Sequence, residues 1–453
     1  MLGSVDDQRA RWAPTRWVPT TPFVLRVGML LACLPIAAFA LAVHAGVARN
    51  DDAVETVGQD ATEGITVAQA IKTNLAELDE LVVRALLQPA SSEGDGLDAY
   101  NEQRRELHGN LTAAADQASS GAAYEQPLVN IEYAIGHYHA LVGDSFAAHA
   151  RGDRAGAVRL YGRAHEVMAG TLLPEADFFD KANTYLLNDT YDRHSDDAAT
   201  SAGLVVLACA VLVAALIVVQ VLLARRFHRI VSPALIAATL LAVGMGAETI
   251  NRLNSSADDL TVAREQAFDS VHVLARARAT AVAARQAQGH WLLDPGNGDV
   301  EQAFGAESRK LFRVPGDEDV TAVAGRGDTP VGAGGYLATV TSTGTGSDRS
   351  GGEAGTALAS FGSFVLDDRA LRELVARGDT AGAVASFEQA DAFTAFTAAI
   401  VDAQTYDQEV FDRNADAAAD ATRGLIRLNL AAAALVAALT SLGLYLRLRE
   451  YRS

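Results

Sequence analysis

Apolar residues fall along this chain in two patterns. In four blocks they run together: Phe23 to Val47, Gly203 to Leu223, Ile230 to Ala247 and Leu425 to Leu446. Each block is close to the about 20 residues that cross a hydrocarbon core about 30 Å thick. Between the blocks the apolar positions recur at three- and four-residue spacing. Ile65, Ala68, Ile71, Leu75, Leu78, Leu81, Val82, Ala85 and Leu86 make one such stripe, which predicts an amphipathic helix growing out of the first block. Pro89 and the stretch from Ser91 to Gly96 end it. Further helical pieces are expected near 97–119, near 124–150 and from Asp153 into the second block, with Pro174 kinking or interrupting the last.

The second polar stretch repeats this plan, with Glu248 to Leu293 leaving the third block and Asp379 to Gly424 entering the fourth. The repetition is legible residue by residue. Arg151-Gly152-Asp153-Arg154-Ala155-Gly156-Ala157-Val158 returns as Arg377-Gly378-Asp379-Thr380-Ala381-Gly382-Ala383-Val384, and Tyr161 then matches Phe387. Tyr191-Asp192-Arg193 matches Phe411-Asp412-Arg413, and Leu86-Leu87-Gln88-Pro89 matches Leu292-Leu293-Asp294-Pro295. Gly just past a helix end and Asp as the next N-cap make the Arg-Gly-Asp triplet a helix–helix joint rather than an adhesion motif.

One stretch lacks a counterpart. Ten glycines lie between Gly325 and Gly355, around the β-branched run Tyr336–Thr343, which predicts a short strand or hairpin within loops. Within it, Gly332-Ala333-Gly334-Gly335 is not followed by the Lys-Ser or Lys-Thr of a phosphate loop.

Charge orients the blocks. Arg9, Arg11, Arg16 and Arg26 precede or open the first, Arg225, Arg226 and Arg229 lie between the second and third, and Arg447, Arg449 and Arg452 follow the fourth. Basic residues beside spans are retained inside, so both termini are expected in the cytoplasm. The polar stretches carry net charges of −15 (Arg49 to Ser201) and −12 (Glu248 to Gly424) within a total of −19. The expected fold is an all-α membrane protein with four transmembrane helices and two elongated extracytoplasmic helical bundles in tandem. Its parts are a cytoplasmic segment 1–22, spans at 23–47, 203–223, 230–247 and 425–446, a basic loop 224–229 and a tail 447–453. The bundles occupy 48–202 and 248–424, the second with the Gly-rich insertion 325–355. Leu30-Leu31-Ala32-Cys33 is like a lipoprotein cleavage site, but Arg26 leaves too short an apolar run before it for a signal peptide.

Acidic exported domains exclude nucleic acid as a partner. Cys33 and Cys209 both lie in apolar blocks, so no disulfide framework holds the bundles. No nucleophile elbow, zinc signature or Walker motif is present, and no enzymatic activity, metal or cofactor is expected. The spans lack the mid-membrane ionisable residues of a carrier. What remains is partner contact. Leu86 and Leu87 in one repeat and Trp291, Leu292 and Leu293 in the other stand at the predicted outer tips, where they either seal a core or form a docking patch. On the inside, Arg225, Arg226 and Arg229 either fix topology or grip a cytoplasmic partner.

Several stretches carry a family resemblance: Arg225-Arg226-Phe227-His228-Arg229-Ile230-Val231-Ser232-Pro233, Ala275-Arg276-Ala277-Arg278 leading to Trp291-Leu292-Leu293-Asp294, Gly335-Tyr336-Leu337-Ala338, and Asp367 to Ala383. They resemble actinobacterial membrane proteins with four spans and two exported helical domains. Those proteins relay glutamate and aspartate availability from a periplasmic amino-acid-binding lipoprotein to a soluble serine/threonine kinase. The family has Asn where this chain has Ser232, and an acidic-polar stretch where it has Gln286-Ala287-Gln288-Gly289. The resemblance implies a sensor that docks the lipoprotein outside and passes a helix shift to the kinase inside, alone or as a homodimer. Two other readings are open: a mechanical subunit coupling an intracellular ATPase to an exported partner, and a structural cell-envelope protein.

Overall fold

The computed structural model describes residues 21–55, 61–89, 93–118, 125–227, 232–295, 297–316, 318–327, 329–343 and 348–452. In chain order the helices are α1 (Thr21–Glu55), α2 (Ala61–Leu87), α3 (Glu93–Ala118), α4 (Glu125–Ala150), α5 (Arg154–Val167), α6 (Leu173–Phe227), α7 (Pro233–Val262) and α8 (Asp269–Leu293). They continue as α9 (Gly298–Leu311), α10 (Val320–Ala324), α11 (Tyr336–Thr343), α12 (Asp348–Ala376), α13 (Thr380–Gln389), α14 (Asp391–Thr422) and α15 (Leu425–Arg452). The protein is all-α, and four of its helical segments are long and apolar enough to cross a membrane.

The strand expected over Tyr336–Thr343 is instead helix α11, and among the described residues the insertion's β-structure is a single antiparallel bridge between Arg313 and Gly334. Burial overrides β-propensity here. Leu337, Ala338 and Val340 are buried in a core shared with α8 and α12, and the Thr341 hydroxyl donates back to the Leu337 carbonyl at 2.9 Å. Gly335, at φ 98°, sets the start of α11: a Cβ there would stand 2.7 Å from the Leu311 carbonyl oxygen.

The chain divides into two compact units. One holds the described residues up to Arg49, Ala198–Leu253 and those from Thr422 onward. Ile36, Phe39, Val43, Leu212, Ala238, Met245 and Val436 pack together in its interior, while Leu34, Leu41, Leu207, Leu240 and Leu430 face outward. An apolar exterior is what a lipid solvent requires. Polar groups inside are paired: Gln220 donates to the Leu235 carbonyl (2.9 Å) and to Thr239 (2.8 Å), and Thr249 donates to Asn429 at 3.2 Å. Gly246 leaves room for the Cys209 thiol of α6, a small-residue contact typical of membrane helices.

The other unit holds Asn50–Asp197 and Asn254–Ala421. The two repeats share it. Its largest apolar core joins Leu75, Leu78 and Val82 of α2 with Tyr138, Tyr161 and Phe179 of the first repeat and with Trp291, Leu292 and Phe387 of the second. A second core runs from Leu274 and Ala281 of α8 to Phe304, Phe312, Phe361 and Phe396. Helices α2 and α8 pack against each other at the centre, and α8 is buried on nearly every side. Its alanines and Gly289 permit the close approach, since a Cβ on Gly289 would collide with Val83 and with Phe387.

The repeated triplet builds the same joint twice. Gly152 and Gly378 adopt left-handed φ of 76° and 84°, a conformation that favours glycine. Asp153 and Asp379 then cap α5 and α13, accepting from the Gly156 and Gly382 amides at 2.8 Å each. Tyr161 and Phe387, at the same offset beyond the joint, are both fully buried.

Helix continuity differs at each passage between repeat and apolar block. Before Pro174 one turn, Met168–Leu172, widens to π-helix and the helix continues unbroken as α6 to Phe227. Helix α7 passes through a π-helical turn at Ala263–Phe268 directly into α8. The helical piece expected from Asp379 to Gly424 is two helices, α13 and α14, divided at Ala390 (φ 52°), and Gly424 at φ 77° separates α14 from α15. The passage from α1 to α2 includes residues 56–60, outside the described residues.

Candidate functional site: a polar seam between the repeats

Charged and polar side chains sit where α2 and α8 meet, on helix faces that are otherwise apolar. Asp79 of α2 is buried. It accepts from the Tyr138 hydroxyl of α4 (3.0 Å) and the Tyr161 hydroxyl of α5 (3.3 Å), and His165 Nδ1 lies 2.8 Å from its Oδ2. Gln286 of α8 reaches across from the second repeat and donates to the Tyr161 oxygen at 2.5 Å. The His290 ring stands edge-on to Tyr161 and His165, at 5.0 and 5.1 Å between centroids. Burial, reinforced by the Asp79 charge, holds both tyrosines well above the usual phenol range, so they remain donors. Burial pulls the His165 imidazole down, but the charge of Asp79 and its hydrogen bond outweigh this and leave its pKa raised. His290 is pushed down to about 4 by burial and then by His165. One proton position therefore belongs to His165 and not to its neighbour.

Arg285 holds the position in α8 that Asp79 holds in α2, each standing seven residues before the matched leucine pair. It lies against Phe387, the counterpart of Tyr161, with its guanidinium carbon 3.7 Å from the ring centroid. It donates to the Gln288 side chain at 3.0 Å and to the Phe387 carbonyl. Burial lowers its pKa to about 10, with the Glu80 charge of the first repeat opposing. Nearby, Asp368 accepts from Arg372 at 2.8 Å, and Arg372 in turn lies 4.6 Å over the Trp291 ring.

Farther along α8 the seam remains polar. Asp180 of α6, fully buried, receives both Nε (3.1 Å) and Nη2 (2.7 Å) of Arg276. Gln69 pairs with His272, whose pKa burial lowers. Arg278 bridges to Glu77 at 3.0 Å, and Ser270 donates to Asp407 at 2.5 Å. Among the described residues no group of three or more His, Cys, Asp or Glu side chains is placed to hold a metal.

Of the residues singled out in the sequence, Leu86, Leu87, Trp291, Leu292 and Leu293 lie together in the shared core, all under 8% exposed. That is the sealing arrangement. Arg225 is exposed in the last turns of α6, Arg226 belongs to the same helix, and Arg229 lies outside the described residues. No motif in the sequence marks Asp79, Tyr161, His165, Arg285 and Gln286 as one site. The signal present was a run such as Leu78-Asp79-Glu80-Leu81, in which acids interrupt an apolar stripe.

Both repeats contribute buried polar groups to this unit. Residues 53–192 match the actinobacterial sensor domain. The sensor region spans α2 to α5 and the first part of α6, and so contains Asp79, Tyr138, Tyr161, His165 and Asp180. No curated protein and no solved structure matches the chain. The match makes this stretch of the chain similar to a sensor domain, and four apolar helices fit placement of the protein in a membrane.

Proposed function

We propose that the protein is a non-enzymatic transmembrane sensor that reads an extracytoplasmic state through the sensor region and passes it to a cytoplasmic partner as a small helix shift. The observation that carries this reading is α6. One helix of 55 residues holds the end of the matched sensor region, including Asp180 of the seam, and the whole apolar segment Thr200–Arg225. A helix transmits displacement along its axis because its hydrogen-bond ladder is stiff, and packed interfaces convert sub-ångström shifts into discrete rearrangements. The seam is suited to supply two arrangements, since its polar pairs cross between repeats and can exchange partners. Both termini and the loop bearing Arg225, Arg226 and Arg229 face the cytoplasm in this reading, by the positive-inside rule. A periplasmic amino-acid-binding lipoprotein is the proposed outer partner and a serine/threonine kinase the inner one.

The test is site-specific photo-crosslinking in cells from a residue introduced at Arg225, with partner identification by mass spectrometry in amino-acid-rich and starved cultures. A crosslink whose yield follows the external supply is expected. Insertion of two glycines after Asp196 in α6 should abolish that dependence while leaving membrane insertion intact. A crosslink indifferent to supply, or to the glycine insertion, rejects the relay.

A further inference from the structure

The chain contains three lysines, Lys72, Lys181 and Lys310, against 34 arginines. All three line one groove. It has a volume of about 530 Å³ and is walled by α2, the π-helical turn and the start of α6 from the first repeat and by α8, α9 and α11 from the second. The ammonium groups come from segments more than 100 residues apart in sequence, so no local repeat or charge run accounts for their convergence.

Their surroundings indicate a ligand. Lys72 pairs with Asp177, Lys181 stands 3.6 Å from the same carboxylate, and Lys310 bonds Glu307 at 2.6 Å. Three cations thus meet two carboxylates, leaving a positive excess within segments that are strongly negative. The lower wall is apolar, with Leu173, Pro174 and the largely exposed Phe178, while Thr280 and Tyr336 add hydroxyls. Elsewhere this unit builds its ion pairs between the repeats from arginine, as at Asp180–Arg276 and Glu77–Arg278, whose rigid fork suits fixed partners. Lysine is a compact charge on a flexible stem and suits an exchangeable anion. The wall also contains a π-helical turn, a distortion that recurs at functional sites.

We infer that this groove binds a small organic anion, a carboxylate or phosphate with an apolar body. Lys72, Lys181 and Lys310 hold the anionic group, and Pro174 and Phe178 receive the apolar part. Asp177 lies one turn from Asp180 on α6, so an anion that draws Lys72 away from Asp177 acts on the helix that carries the Arg276 pair. That consequence rests on the sensor reading; binding itself does not.

Three lysines make amine acylation a complete readout. The full-length protein in lipid nanodiscs is treated with an N-hydroxysuccinimide acetate, and each lysine is followed by mass spectrometry. The probes are phenylacetate, phenyl phosphate, inorganic phosphate and phenethylamine. An organic anion at ten times its dissociation constant should slow acylation of all three lysines together by about tenfold, and phenethylamine should not. Protection by phenylacetate or by phenyl phosphate distinguishes the two anion classes. By calorimetry, K72Q/K181Q/K310Q should lose saturable binding, and K72R/K181R/K310R should retain it. The inference is overturned if neither organic anion protects, if one lysine alone responds, or if binding survives in the glutamine variant. It is also overturned if inorganic phosphate protects equally, which marks an adventitious ion only. Should the glutamine variant fail to fold, wild-type protection decides alone. None of these failures touches the crosslinking result at Arg225.

Discussion

Asp79 and Arg285 occupy the same position in the two repeats and bring opposite charges into one buried seam. Around Asp79 the partners are hydroxyls and an imidazole that donate to it; around Arg285 they are an aromatic face, an amide oxygen and a backbone carbonyl that accept from it. The pairing of Asp79 with Tyr161, and of Arg285 with Phe387, keeps the geometry of the repeat while exchanging its chemistry. Gln286 from the second repeat completes the first repeat's network. A duplicated unit has thereby become a two-part structure that neither copy completes alone.

Truncating Asp79 leaves two hydroxyls and an imidazole facing a void. Removing one member of a buried charged network costs about 3–5 kcal/mol, so Asp79→Ala should lower the thermal midpoint sharply. Asp79→Asn retains an acceptor oxygen and should cost less. Equal losses for the two variants, measured by urea unfolding in detergent, would count against hydrogen-bond acceptance as the role of this side chain.

The histidines predict a pH profile. His165 has a folded pKa raised above its ordinary value of 6.5. The folded state binds that proton more tightly, so its contribution is complete below about pH 6.5 and is lost as pH rises through the raised folded value. His290, held at about 4, works in the other direction: the unfolded chain takes up a proton that the folded one refuses, and stability falls as pH drops from about 6.5 toward 4. Urea midpoints measured from about pH 5 to about pH 8 should therefore show His165→Asn most harmful on the acid side, its difference from wild type shrinking as pH rises. His290→Asn should relieve an acid-side loss. A pH-independent difference for His165→Asn would remove the Asp79 coupling.

Arg285 is held by the face of Phe387 and by two accepting oxygens. Lysine keeps the charge but not the planar stack or the fork, and a buried cation–π contact contributes about 2 kcal/mol. Arg285→Lys is expected to destabilise by about that amount, and Phe387→Leu by a similar amount through the same contact. In a double-mutant cycle the two losses should be less than additive; full additivity would deny the stack.

How much of this was legible in the sequence follows from what each feature depends on. The spans, the amphipathic α2 and the duplicated joint rest on local pattern: apolar runs, three- and four-residue spacing, and a Gly-Asp pair whose φ and capping needs are intrinsic. The sequence of Tyr336–Thr343 points to a strand because its β-branched residues favour one, whereas the burial of Leu337 and Val340 that makes it helical is tertiary. The seam was invisible for a related reason. Asp79 and Gln286 read as ordinary polar positions until α2 and α8 are placed side by side, and the convergence of Lys72, Lys181 and Lys310 requires the same placement.

The two joints offer a direct comparison. Gly152 and Gly378 have left-handed φ and open space around the site of an added Cβ, so alanine there costs only the backbone strain of about 1–2 kcal/mol. Asp153→Ala and Asp379→Ala each remove an N-cap, typically about 1 kcal/mol. Matched losses at the two positions are expected in thermal unfolding. A large loss at one joint and none at the other would show that the duplicated sequence does not perform a duplicated role.

The contact between α2 and α8 is the closest test of the shared core, because Gly289 exists where Val83 and Phe387 leave no room for a methyl group. In an isolated helix Gly→Ala stabilises by about 1 kcal/mol. Overpacking a close contact costs about 1–3 kcal/mol, so the tertiary term should prevail and Gly289→Ala should destabilise. Val83→Ala alone should also destabilise by leaving a cavity. Combined, the two changes exchange volume across one interface, and Val83→Ala/Gly289→Ala should recover part of both losses. Recovery places the two repeats in one core in solution. Simple addition of the losses would mean that Val83 and Gly289 do not meet, and that α2 and α8 are held by something other than their own faces.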